Sequence, residues 1–259
     1  MLNSQVNSKH FCIDVGELKK MDPLRKVEDA KLANLIPQNV YRKIVDRFRF
    51  VQEGVKRVAK ASGIKYPSYY VEPSIVLSVS PLEMEQVGVL FARTIPIVSI
   101  DNKVNVVVQL TAPLLAYGMK GTMHAVLAHE FLHYLELMGR MVRMDVISDE
   151  ISGTLFEGTY ADLTKLFEPK MVFKDKSLVR LITKKFPEGF HDPKLESKCI
   201  KMWLKKGLPA VRINMDENAV RIPISAMANT EIDQNLKKKI YELSTPNYTG
   251  KGKRRNAKR

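Results

Sequence analysis

His129-Glu130-Phe131-Leu132-His133 decides how this chain reads. On an α-helix, residues four apart differ by about 40° in direction and about 6 Å in height, so both imidazoles leave one face and converge on one point. Neutral imidazoles suit a zinc ion that keeps one position open for water, and Glu130 beside the first of them can accept that water's proton. With five histidines in 259 residues, chance supplies the pattern roughly 0.006 times. Around it Met123, Val126, Leu127, Phe131, Leu135 and Met138 predict a helix over 122–138 with an apolar surface, closed by Gly139. Two histidines and a glutamate buried there without a metal would need other polar partners.

Upstream, Val40, Ile44, Phe48, Val51, Val55 and Val58 recur at helical steps, predicting a helix over 37–61 with Pro37 at its first position and Ser62-Gly63 ending it. A short helix is expected at 26–35, and strands at 68–71, 75–79 and 87–92. Residues 97–100 and 104–110 flank Asp101-Asn102-Lys103 and read as a hairpin. A loop with Pro113, Gly118 and Gly121 then leads into the helix of the two histidines.

Downstream, a helix is expected over 148–167, stopped by Pro169, with further helices at 177–185, 193–206 and 231–243. Residues 211–215 and 219–224 read as a second hairpin. The Gly- and Lys/Arg-rich composition from Asn247 onward predicts a disordered tail.

Residues 121–137 resemble the active-site helix of the zincin metallopeptidases, and the resemblance extends over about 37–167. It implies an α+β fold: a small mixed sheet whose edge strand, assigned to 104–110, holds an extended substrate, with an active-site helix and a glutamate helix beside it. It further implies bound Zn2+, a peptide or protein substrate, His129 and His133 as ligands, and Glu130 as general base. Metzincins carry a glycine three residues after the second histidine and then a third histidine. Here Glu136 occupies that position and no suitable histidine follows.

Gluzincins take a glutamate from the next helix, with a small residue three positions later. Glu150, followed by Gly153, is the preferred third ligand, and Glu157 on nearly the same face is the alternative. The acid usual four residues beyond the ligand is missing in both cases, where Thr154 and Ala161 stand. Tyr117, His124, Arg143 and Tyr160 are candidate oxyanion donors, and Asp149 or Asp162 could orient a ligand histidine. His191 reads as a loop residue, and Glu136 as a residue outside the ligand set.

The chain holds 42 basic and 28 acidic residues, a formal +14. Residues 1–167 carry a net +2 and residues 168–259 a net +12, which suggests regions with different tasks. Four segments are expected: an arm (1–36), a zincin-like catalytic domain (37–167), a basic helical and hairpin subdomain (168–246), and the tail (247–259). Lys184-Lys185, Lys198, Lys201, Lys205-Lys206, residues 237–239 and the tail offer a surface for sequence-independent nucleic-acid contact, or simply solvated helix faces. The alternative to a peptidase is therefore a nucleic-acid-binding protein with a structural or vestigial metal site, or a protease recruited to DNA or RNA.

The longest uncharged stretch, 104–119, is too short to span a bilayer. The first residues lack an apolar signal core, and Cys12 and Cys199 could form one bridge but no disulfide framework. A cytoplasmic protein without membrane contact is the expectation.

Overall fold

Pro37, which has no N–H to donate, lies just ahead of the long helix it announces. The computed structural model describes residues 22–79, 87–143, 167–187, 189–214 and 222–244. A short helix, α1 (Arg25–Leu32), precedes α2 (Gln38–Ser62). Gly63 ends α2 in the left-handed conformation at φ 75°, where a Cβ would be strained. Ile44, Phe48, Val51, Gly54 and Val58 form the buried stripe of α2.

Among the described residues, six strands follow the apolar runs: β1 (Ser68–Glu72), β2 (Ile75–Val79), β3 (Val87–Leu90), β4 (Ala92–Val98), β5 (Val104–Thr111) and β6 (Ala210–Asn214). They form two three-stranded sheets, ordered β1-β5-β4 and β3-β2-β6. The architecture is mixed α+β.

In the first sheet β5 runs parallel to β1 and antiparallel to β4. The hairpin around Asp101-Asn102-Lys103 forms, with Asn102 at φ 51° in its turn. The 104–110 segment is not an edge strand: β5 is central, flanked by β1 and β4, which are the two edges of this sheet among the described residues. Thr111 N–H donates to Phe91 O at 3.0 Å. That register turns the backbone groups of Ala92, Thr94 and Pro96 away from β5. A proline there removes a donor no partner strand in the sheet uses.

Two further expectations are corrected. The strand expected over 87–92 breaks at Phe91, so that β3 pairs with β2 in one sheet while β4 pairs with β5 in the other. Of the hairpin expected over 211–215 and 219–224, the first arm lies in β6, which pairs in parallel with β2, and residues 215–221 lie outside the described residues. Pro223, at φ −59°, then starts a short helix, α8 (Ile224–Asn229), where the returning strand was expected.

The expected loop after β5 contains α3 (Ala112–Tyr117), with Pro113 in its first turn. The histidine helix, α4 (Lys120–Arg143), starts earlier and ends later than its sequence suggests. It passes through Gly139 because Met138, Gly139 and Met141 are all buried, and packing outweighs the roughly 1 kcal/mol helix penalty of glycine. After residue 167 come α5 (Pro169–Val172), α6 (Lys176–Lys185), α7 (Pro193–Met202), a 3-10 turn (Leu204–Lys206) and finally α9 (Gln234–Ser244).

Every residue of α4 from 122 to 133 is buried. A helix enclosed on all sides needs neighbours all round: α2, β4, α6 and α9 supply them. Residues from α1 to α9 share one contiguous core, so the basic segment after 167 packs onto the histidine helix itself. Cys199 on α7 is a buried free thiol. Among the described residues, no helix is long and apolar enough to cross a membrane.

Candidate metal centre

The four-residue spacing has its expected geometric consequence. His129 Nε2 and His133 Nε2 lie 3.0 Å apart, with ring planes at 82°. Both rings are buried, at 7% and 6% exposure. A 3.0 Å separation allows one N–H to donate to the other ring's bare nitrogen. It equally allows both nitrogens to lie about 2.0–2.1 Å from a single ion. A divalent cation would take the place of that shared proton, so the residues present fit two ligands of one metal.

Glu130 is buried at 6% exposure. The Thr94 hydroxyl on β4 lies 2.8 Å from Glu130 Oε2 and 3.0 Å from its carbonyl oxygen, within donating distance of both. Thr94 thus fixes the edge strand to the helix and orients the carboxylate. One turn earlier along α4, the Tyr66 hydroxyl donates to Leu127 O at 2.9 Å. Burial, reinforced by the Glu130 charge, pushes the Tyr66 pKa well above the ordinary phenol range, so Tyr66 stays a donor.

The histidines open into a cleft of about 100 Å³ lined by Val89, Leu90, Phe91, Phe186 and Phe190 together with Glu130. Phe186 lies flat on His129, with centroids 3.8 Å apart and planes at 7°. Phe190 contacts both Phe186 and Phe91, at 5.3 and 5.0 Å. The loop bearing these aromatics connects α6 to α7, and its ends are pinned. His191 N–H donates to Lys185 O at 2.7 Å, and the Lys185 ammonium pairs with Asp192.

Asp192 also accepts from Thr122 Oγ1 at 3.1 Å and from Leu195 N–H at the start of α7. Burial pushes its pKa up, but the bonds from Lys185, Thr122 and Leu195 outweigh this and hold it below the ordinary aspartate value. The pin therefore stays charged at neutral pH.

Several residues singled out by sequence lie elsewhere. His124 contacts Phe50 O through Nε2 at 3.2 Å and Arg57 through Nδ1 at 3.3 Å, on the α2 side of α4. Burial, and then Arg57, lowers its pKa, which keeps the ring neutral. Tyr117 donates to Met202 O at 3.2 Å and packs edge-on to Trp203. Neither reaches the histidine pair as an oxyanion donor. Glu136 turns to Arg140, at 3.2 Å. His191 is an exposed loop residue, as expected.

Among the described residues, no group of three His, Cys, Asp or Glu side chains is arranged to hold a metal. Glu150 and Glu157, with Asp149, Tyr160, Asp162 and the Arg143 side chain, lie outside the described residues. Sequence reasoning missed Thr94, Phe91, Phe186 and Phe190. The signal for Thr94 was a small hydroxyl on the inward alternation of an edge strand. For the phenylalanines it was the pair bracketing Pro187-Glu188-Gly189. Compared with family models, curated proteins and solved structures, the chain matches none of them.

Proposed function

We propose that the chain is a zinc-dependent peptidase with a zincin-like, gluzincin-type centre. The observation carrying this reading is the 3.0 Å approach of His129 Nε2 to His133 Nε2 at the floor of a cleft that Glu130 also lines. His129 and His133 would hold the metal with Glu150, or with Glu157, as third ligand. When bound, zinc supplies a Lewis acid for the scissile carbonyl and a water acidified toward neutrality.

The chain's own residues do the rest. Glu130 accepts the proton of the attacking water and passes it to the leaving amine. Thr94 holds the carboxylate for both transfers. The outward backbone groups of Ala92 and Thr94 offer an extended peptide an edge to pair with, beside the cleft. Phe91, Phe186 and Phe190 restrict access of bulk water.

Metal analysis beside peptidase assays tests the reading. Glu130→Gln should retain the metal and lose about 10²- to 10⁴-fold in kcat, the usual contribution of a general base. Of Glu150→Ala and Glu157→Ala, the variant that empties the site identifies the third ligand. Wild-type cleavage by Glu130→Gln, or purified protein that takes up no divalent metal, would overturn it.

A further inference from the structure

Tyr117, at the end of α3, gathers two lysines from different helices. Lys43 Nζ of α2 lies 4.6 Å from its ring centroid and Lys198 Nζ of α7 lies 5.8 Å away. One turn further along α2, the Arg47 guanidinium stands 5.5 Å from the Phe50 ring. Arg49 at 5.1 Å and Lys120 Nζ at 5.6 Å share that ring. Five cations from positions 43 to 198 thus gather at two aromatic rings across α2, α3, α7 and the start of α4.

Among the described residues they are neutralised only in part, Glu53 being the acid whose charge acts on Lys120 and Arg49. Lys120 pairs with Glu53, and Arg47 donates to the carbonyl oxygens of Leu115 and Gly118. Lys43, Arg49 and Lys198 are exposed and make no ion pair among the described residues. The Lys43 ammonium loses protons more readily than usual, through partial burial first and then the nearby charges of Lys198 and Arg47. Like charges held together cost free energy, which a bound anion returns.

The arrangement also says which anion. On α7, the exposed Lys194, Lys198 and Lys201 follow at four- and three-residue steps, so they rise in a row about 10 Å long. A row matches repeating charge, whereas a single small anion asks for donors that converge. Membrane docking asks for a broad apolar face beneath the lysines, but Tyr117 and Phe50 are only half exposed and are covered by the cations themselves. We infer that the face formed by α2, α3 and α7 binds the phosphate backbone of a nucleic acid without reading its sequence.

Half of this surface comes from the stretch before 167, whose net charge is close to zero, so charge counting along the chain does not reveal it. The inference is independent of the metal centre, because the test reads binding alone. Fluorescence anisotropy of a labelled 20-nucleotide single strand is measured with the full chain between 50 and 200 mM KCl. For the wild type, the logarithm of affinity should fall linearly with the logarithm of salt concentration.

The triple variant Lys43→Gln/Arg49→Gln/Lys198→Gln removes three contacts and leaves Arg47, Lys120 and the basic tail in place. Its slope should be shallower by about 2, at roughly 0.7 per phosphate contact on a single strand, with affinity at 50 mM at least tenfold lower. Lys237→Gln/Lys238→Gln on α9 should leave binding unchanged. If the triple variant does not fold, Lys198→Glu alone should still weaken binding several-fold. An unaltered slope and affinity in a folded variant would overturn the proposal, as would no binding by the wild type at 50 mM. Binding to phosphatidylserine vesicles with none to the oligonucleotide would overturn it too, in favour of a lipid surface.

Discussion

Phe186 and His129 are stacked face to face, 3.8 Å between ring centroids and 7° from parallel. One ring comes from the loop after α6 and the other from the middle of α4, 57 positions earlier in the chain. The contact fixes the imidazole plane, and with it the direction in which Nε2 faces His133. The Lys185–Asp192 pair fixes the base of the loop that supplies Phe186.

On the proposed metal-binding reading, Phe186→Ala should therefore weaken zinc affinity without unfolding the chain. An aromatic pair contributes about 0.5–1.5 kcal/mol beyond its buried area, which corresponds to roughly 2- to 10-fold in affinity. Competition with a chromophoric zinc chelator reads the change, and far-UV circular dichroism reads the fold. Equal zinc affinity in variant and wild type would mean that the stack does not position His129.

Thr94→Val keeps the shape of the side chain and deletes the donor to Glu130. Hydrogen bonds to charged groups are worth about 1.5–3 kcal/mol. If about half of this is expressed in the transition state of the proposed reaction, kcat falls roughly 4- to 10-fold at nearly constant KM. Thr94→Ser, which restores the hydroxyl, should recover most of the loss. A Thr94→Val enzyme with undiminished kcat would remove Thr94 from the positioning of Glu130.

At Gly54 α2 and α4 approach closely. A Cβ there would sit 2.5 Å from Leu127 Cδ1 and 2.9 Å from His124 Cδ2. Leu127 is fully buried, so its methyl has no free space to move into. Alanine gains about 1 kcal/mol of helix propensity over glycine, while overpacking costs about 1–3 kcal/mol. The balance predicts that Gly54→Ala lowers Tm by several degrees. A Tm equal to or above that of the wild type would show that the helices separate freely.

Asp175 links α6 to α2. It caps α6 through Ser177 and Leu178 N–H and accepts from Arg57 Nε at 2.7 Å. The Arg57 hydrogen bond is the largest cause holding its carboxyl well below the ordinary range; burial opposes it, and the bonds from Leu178 and Ser177 assist. A depressed folded-state pKa contributes stability that is complete above the unfolded-state value, about 4. The contribution is lost as pH falls below that value toward the folded pKa. Asp175→Asn keeps a capping oxygen and removes the charge. The Tm gap between wild type and variant should be constant from pH 7 to about 5 and shrink below pH 4. A gap independent of pH would contradict the charged link.

Local patterns along the chain set α2, the β4–β5 hairpin and the spacing of the histidine pair, because these depend on neighbours within a few residues. Apolar residues three and four apart made α2, Gly63 stopped it, Asn102 turned the β4–β5 hairpin, and one helical turn brought His129 Nε2 to His133 Nε2. Long-range packing set which strands form the sheet edges, buried α4 from 122 to 133, and brought Phe186 and Phe190 to the cleft of the two imidazoles and Thr94 to Glu130. The meeting of Lys43 and Lys198 at Tyr117 is of the same kind. Those relationships join residues tens to more than a hundred positions apart, and they are set by which apolar faces find room against one another in a shared core, a quantity that no local pattern of side chains encodes.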